Sequence, residues 1–121
     1  MSGIQKEDRP GRFSVQPEVV DGVLVVMVCG EIDHGVKDAF SQALMSEGGA
    51  MPPRIVADLS GVTFMDSSGI NVFVTAHRRV SAAQGWLRIA GAHESVVRLL
   101  HLVGLDEIID CHPTVEQALN A

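Results

Sequence analysis

The sequence predicts a single α/β domain: a mixed, mostly parallel sheet of four or five strands packed with about four helices, in the order β-β-α-β-α-β-α-β-α. Three observations predict it. Apolar runs of strand length alternate with stretches whose apolar residues recur every three or four positions, the pattern of parallel strands joined by helices. The dipeptide Asp21-Gly22 separates the first two runs and suits a tight hairpin turn. The 121 residues fit one hydrophobic core, and no internal repeat or low-complexity tract divides them.

Each element has its own signal. Phe13–Glu18 and Gly22–Cys29 form the opening hairpin, and Val23–Val28 is the unbroken apolar run of a central strand covered on both faces or nearly so. Gly30-Glu31-Ile32-Asp33 ends that strand. Asp33 can then N-cap a helix whose apolar positions are Val36, Ala39, Phe40, Ala43 and Leu44. Gly48-Gly49 stops this helix, and Pro52-Pro53 forbids its resumption. Arg54–Leu59 reads as a short buried strand, Ser60-Gly61 as a turn, and Val62–Met65 as the lead into Asp66-Ser67-Ser68-Gly69. A second helix carries Ile70, Phe73, Val74, His77 and Val80 on one side and ends near Gln84-Gly85. Trp86–Ile89 is the next inner strand. Glu94–Val103 is an amphipathic helix with Val97, Leu100 and His101 near one stripe, closed by Gly104. Glu107–Asp110 makes a short strand, and Thr114–Leu119 a final helix after Pro113.

Composition excludes several classes of function. Nine Lys and Arg against 15 Asp and Glu give a net charge of −6, which argues against binding a phosphate backbone. With four Phe, one Trp and no Tyr, the core is expected to be aliphatic. Cys29 and Cys111 match no metal spacing, and each is expected in or near the core of a reduced protein, a disulfide between them being the minor alternative. The longest strongly apolar stretch, Val19–Cys29, is interrupted by Asp21 and is too short to span a membrane. Residues 1–12 are polar, lack the apolar segment of a signal peptide and read as a flexible start; residues 13–121 form the domain, expected in the cytoplasm.

Chemistry in such a sheet concentrates where strands hand over to helices. Two junctions stand out, Gly30-Glu31-Ile32-Asp33-His34 and Asp66-Ser67-Ser68-Gly69-Ile70. At the second, Asp66 is placed to cap the amide of Ser68 or Gly69 and to leave a serine hydroxyl at a helix N-terminus. The helix dipole there favours a phosphate by ~0.3–1 kcal/mol, while Asp66 repels a group carrying about −1.5 to −2 charges. A reversible mark suits such a site. Taken alone, though, D-S-S-G is fully accounted for as an N-cap with a tight turn, and Asp33 as another cap.

A resemblance enters with longer stretches. Val56-Ala57-Asp58-Leu59-Ser60-Gly61-Val62-Thr63-Phe64-Met65-Asp66-Ser67-Ser68-Gly69-Ile70 is similar to the signature of the STAS-domain anti-sigma factor antagonists, bacterial regulators also called anti-anti-sigma factors. Gly30-Glu31-Ile32-Asp33-His34 resembles the family's G-E-[LI]-D motif, and Val103-Gly104-Leu105-Asp106-Glu107-Ile108-Ile109 its closing G-L-x-x-x-[IF] pattern. Three motifs in order cover nearly the whole chain, from about Ser14 to Leu119.

The resemblance implies a STAS-like fold and a partner switch. The unphosphorylated form binds an anti-sigma factor, often a serine kinase of ATPase fold, and so frees the sigma factor. The kinase uses ATP to phosphorylate the acceptor, expected at Ser68 with Ser67 as runner-up, and the partners separate until a serine phosphatase resets the cycle. Partner contacts are expected at Asp33, His34, Asp66, Ser67, Gly69, Ile70 and Asn71. Asn71 departs from the glycine common in the family, which changes the docking surface but leaves the acceptor intact. The alternative is a non-switching scaffold module in a stress-signalling assembly or a membrane transporter complex, which exposed Ile, Val or Leu on one helix face would favour.

An enzyme is not expected. No G-x-S-x-G elbow occurs, and His77 lies ~13 Å of helical rise from Ser68. His34, His93, His101 and His112 have no ligand spacing, so neither a metal nor a cofactor is expected. His77-Arg78-Arg79 reads as a solvated helix face.

Overall fold

The computed structural model describes residues 12–45 and 52–121. Five strands form one sheet in the order β1-β2-β3-β4-β5. They are β1 (Ser14–Val20), β2 (Val23–Ile32), β3 (Arg54–Met65), β4 (Trp86–Ala90) and β5 (Asp110–His112). The helices are α1 (Lys37–Met45), α2 (Ser67–Ala82), α3 (Glu94–Leu102) and α4 (Val115–Asn120), with 3-10 turns at His34–Val36 and Leu105–Glu107. β1 and β2 pair antiparallel, and every later pairing is parallel. The expected α/β architecture is the observed one. Most of the expected segment 1–12 and the helix stop at Gly48-Gly49 lie outside the described residues.

The hairpin forms as the Asp-Gly pair dictates. Asp21 and Gly22 have φ of 51° and 80°, and Val20 pairs with Val23. Positive φ at both central residues is the two-residue turn whose twist matches that of the flanking strands.

Because the strands follow one another across the sheet without reversal, crossovers of one hand carry their helices to one face. Phe40 and Leu44 of α1, Phe73, Ala76 and Val80 of α2, and Val96 and Leu100 of α3 share a core with Leu24, Val26, Val28, Ile55, Ala57 and Ile89 of the sheet. Among the described residues the opposite face receives α4 alone, and there Ala118 packs on Val23, Val25, Val56 and Ala90. The run Val23–Val28 is thus covered on both sides except at Met27, which is 41% exposed.

Several local expectations are corrected. Ser60-Gly61 is not a turn: β3 runs through it, because pairing with β2 continues on both sides of two register shifts. The advance from Asp58 to Met65 on β3 accompanies that from Met27 to Ile32 on β2, so β3 carries two extra residues as bulges. Glu107–Asp110 is not a strand; Leu105–Glu107 is a 3-10 turn, and β5 starts at Asp110. On α2 the buried residues are Gly69, Val72, Phe73, Ala76 and Val80, so Ile70, Val74 and His77 flank the stripe. On α3 Val96 and Leu100 are buried, whereas Val97 is half exposed and His101 exposed, turning that stripe by one residue.

The core is not purely aliphatic either. Phe40 and Phe73 meet edge to face at 5.2 Å between centroids, and Phe13 extends the chain of rings to Phe40 at 6.4 Å. Both cysteines are free, but neither is a core residue. Cys29 is half-buried, and Cys111 is exposed because β5 is an edge strand of three residues.

Candidate functional site

β2 and β3 end level with each other, Ile32 opposite Met65. Their two outgoing loops are tied together: the Asp66 amide donates to the Ile32 carbonyl at 3.1 Å. This single bond makes neighbours of the G-E-I-D and D-S-S-G motifs, which lie more than thirty residues apart in the chain.

Each loop is shaped by an aspartate. Asp33 Oδ1 accepts from the Gly35 amide at 2.9 Å and starts the 3-10 turn that carries His34 into solvent. The expected cap is present, although it caps this turn rather than α1 directly. Asp66 Oδ1 accepts from the Ser68 amide at 2.8 Å, and the Asp66 carbonyl accepts from the Gly69 amide at 3.1 Å. A carboxylate therefore occupies the positive end of α2, satisfying an amide that the helix leaves unpaired.

The motif glycine has a packing reason. A Cβ at Gly69 would stand 2.6 Å from Met65 Cγ and 3.0 Å from Ile32 Cγ2. Only a residue without a side chain lets the first turn of α2 settle onto the ends of β2 and β3. That contact sets the height of the two serines. Ser67 is exposed and Ser68 half-buried, with Asn71 exposed one turn on and Ile70 half-buried between them.

All eight candidate residues thus fall in one surface region at the carboxyl edge of two adjacent strands. Two features here escaped sequence reasoning. The Asp66–Ile32 bond has no local signal, being a consequence of register. Phe64, 48% exposed and opposite Glu31, adds an apolar surface just before the serine loop; its placement follows from the second bulge.

The remaining polar groups do not converge on Ser68. His77 leaves Nδ1 enclosed without a protein partner, while Arg78 and Arg79 are exposed. His93 donates Nε2–H to the Ser60 carbonyl at 2.6 Å, and His101 pairs with Asp106 at 3.0 Å. Among the described residues no group of three or more His, Cys, Asp or Glu is placed to hold a metal ion, and no helix is long and apolar enough to cross a membrane.

Fold and motifs agree with known proteins. Residues 14–118 match the STAS domain family. An anti-sigma F factor antagonist of Paenibacillus polymyxa is 32% identical over 113 residues, covering 90% of this chain and 92% of its own. An anti-sigma-B factor antagonist of Listeria monocytogenes is 36% identical over 89 residues, covering 70% of this chain and 75% of its own. Among solved structures, an anti-sigma factor antagonist from Mycobacterium paratuberculosis superposes with a TM-score of 0.82 at 32% identity, covering 93% of this chain and 95% of that one. This chain belongs to the STAS-domain anti-sigma factor antagonist family.

Proposed function

We propose that this chain antagonises an anti-sigma factor by a phosphorylation switch at Ser68. Unphosphorylated, it binds the anti-sigma factor, a serine kinase of ATPase fold, through the paired loops of Asp33-His34 and Asp66-Asn71, and the sigma factor is set free. The kinase transfers the γ-phosphoryl group of ATP to Ser68 Oγ; the hydroxyl proton leaves, and ADP is the product. A serine phosphatase returns the chain to its binding state.

The observation that carries this reading is the Asp66 cap at the start of α2, with its Oδ1 2.8 Å from the Ser68 amide. A carboxylate already fills the anion-binding end of the helix, so a phosphate on Ser68 adds about −1.5 to −2 charges beside it instead of finding a vacant amide site. Repulsion and desolvation then act at the docking surface itself. Each tenfold loss of affinity needs only ~1.4 kcal/mol, which one such group supplies.

The test pairs mass spectrometry with binding. Incubation with the cognate anti-sigma kinase and ATP is expected to add one phosphate at Ser68, or at Ser67 as runner-up. Ser68→Ala is expected to bind the kinase constitutively and Ser68→Asp at least ~10-fold more weakly. Equal affinities of the two variants would sink the release mechanism.

A specific observation favours the scaffold reading. Val97, Leu102 and Val103 are 45%, 75% and 52% exposed on and just beyond α3. In that case no phosphate is gained, and Leu102→Glu weakens partner binding while Ser68→Asp leaves it unchanged.

A further inference from the structure

The face of the sheet that carries α4 is covered over only part of its length. Val23, Val25, Val56 and Ala90 pack with α4, whereas farther along the same strands Met27 and Phe64 stay open among the described residues, 41% and 48% exposed. Alternation puts both on this side, since their neighbours Val26, Val28 and Met65 point into the helix-side core. Cys29 lies between them, half-buried, its Sγ 2.5 Å from where a Cβ at Gly61 would stand. Exposed Glu31 pairs with Phe64 and puts an acid at the rim.

We propose that the first eleven residues of the chain dock on this open patch, Ile4 against Met27 and Phe64 and Lys6 beside Glu31. The inference goes beyond the Ser68 switch and does not rest on it.

Three observations support it. First, the chain enters β1 at the border of the patch. Ser14 pairs with Cys29, and a Cβ at Gly30 would collide with the Arg12 carbonyl, so whatever precedes Arg12 starts from the carboxyl end of β2. Second, reach and direction agree. Pro10-Gly11 is a turn dipeptide, which lets the chain fold back over the sheet instead of running on past its edge. Ile4 lies eight residues before Arg12, ~26–29 Å when extended, whereas β3 is two strand spacings from β1, roughly 10 Å.

Third, the chemistry matches. Apart from Met1, Ile4 is the large apolar residue of the segment, and Met27 and Phe64 offer it an apolar surface. Alternate residues of an extended chain share a side, so Ile4 and Lys6 meet neighbouring partners, as Phe64 and Glu31 are. Lys6 then finds the opposite charge, while Glu7 turns to solvent.

Cys29 borders the covered surface, and Cys111, on the far edge strand, is an internal reference. The whole chain is treated with N-ethylmaleimide at low ionic strength, and alkylation of each cysteine is timed by mass spectrometry. Ile4→Asp is expected to speed alkylation of Cys29 by about 10-fold or more and to leave Cys111 unchanged. Lys6→Glu, and added salt on the wild type, are expected to move Cys29 the same way by about 2-fold. Equal Cys29 rates in wild type and Ile4→Asp overturn the proposal, as does a parallel change at Cys111, which marks general loosening. A wild-type Cys29 rate that falls as protein concentration rises assigns the patch to a second copy and overturns the N-terminal occupant. So does a rate that Ile4→Asp leaves alone and an added anti-sigma factor lowers.

Discussion

Asp66 is held through three atoms at once: its amide donates to Ile32, its carboxylate accepts from Ser68, and its carbonyl accepts from Gly69. The residue before the serines therefore has no freedom to swing away from them. A different residue-scale constraint operates at Cys111. Although the residue as a whole is exposed, its thiol is partly enclosed beside the Ile109 carbonyl, and that burial, followed by the charges of Asp106 and Asp110, pushes the thiol up from 9.0 to about 11. The neutral thiol is the form the fold prefers. The folded chain thus binds this proton more tightly than the unfolded one, and the associated stability is complete below pH 9.0 and lost as pH rises toward about 11. Urea midpoints of wild type and Cys111→Ser are expected to differ in their pH dependence within that window and to run parallel below it. Alkylation of Cys111 in the folded protein at pH 8 is expected to be on the order of 10- to 100-fold slower than after denaturation, read by mass spectrometry.

Among the elements, β1 faces the problem of any strand at the border of a sheet, an unpaired row of amides and carbonyls. Its answer is Pro17, which stands opposite Val26 in mid-strand. A proline fits a paired strand only where its missing N–H would point away from the partner, so the outward row of donors is broken there. Pro17→Val restores a donor on a strand that already carries Val15 and Val19. Concentration-dependent self-association, absent in the wild type, is the expected outcome by sedimentation velocity. The same scale shows what was legible beforehand. Asp21-Gly22, Asp33, Asp66 and the helix periods act through neighbours in sequence, so they could be read directly. Ser60-Gly61 carries the local chemistry of a turn but is overruled by pairing with β2 on either side. At Val96-Val97 two identical residues are adjacent, and only the direction in which α3 meets the sheet decides which is buried.

The whole molecule is organised by winding in one direction. Sheets that reverse their strand order open a crevice at the reversal, where ligands are held. This sheet never reverses, and its carboxyl edge presents two level loops. Such an edge suits docking against another protein, in keeping with the family's role as regulators. At the other end of the sheet Arg54 stands beside Trp86, a pairing invisible in the sequence, since 32 positions separate the two residues and only the β3–β4 register joins them.

β3 links these two ends, starting at Arg54 beside Trp86 and finishing one residue before Asp66. Its two bulges make it a strand of fixed count. Side chains alternate faces residue by residue, so removing one residue outside the bulges, such as Ala57, would turn every later side chain over, sending Met65 outward and Phe64 inward. Deletion of Ala57 is expected to abolish both cooperative thermal unfolding and binding of the anti-sigma factor, whereas Ser60→Ala, at an exposed position, leaves both in place.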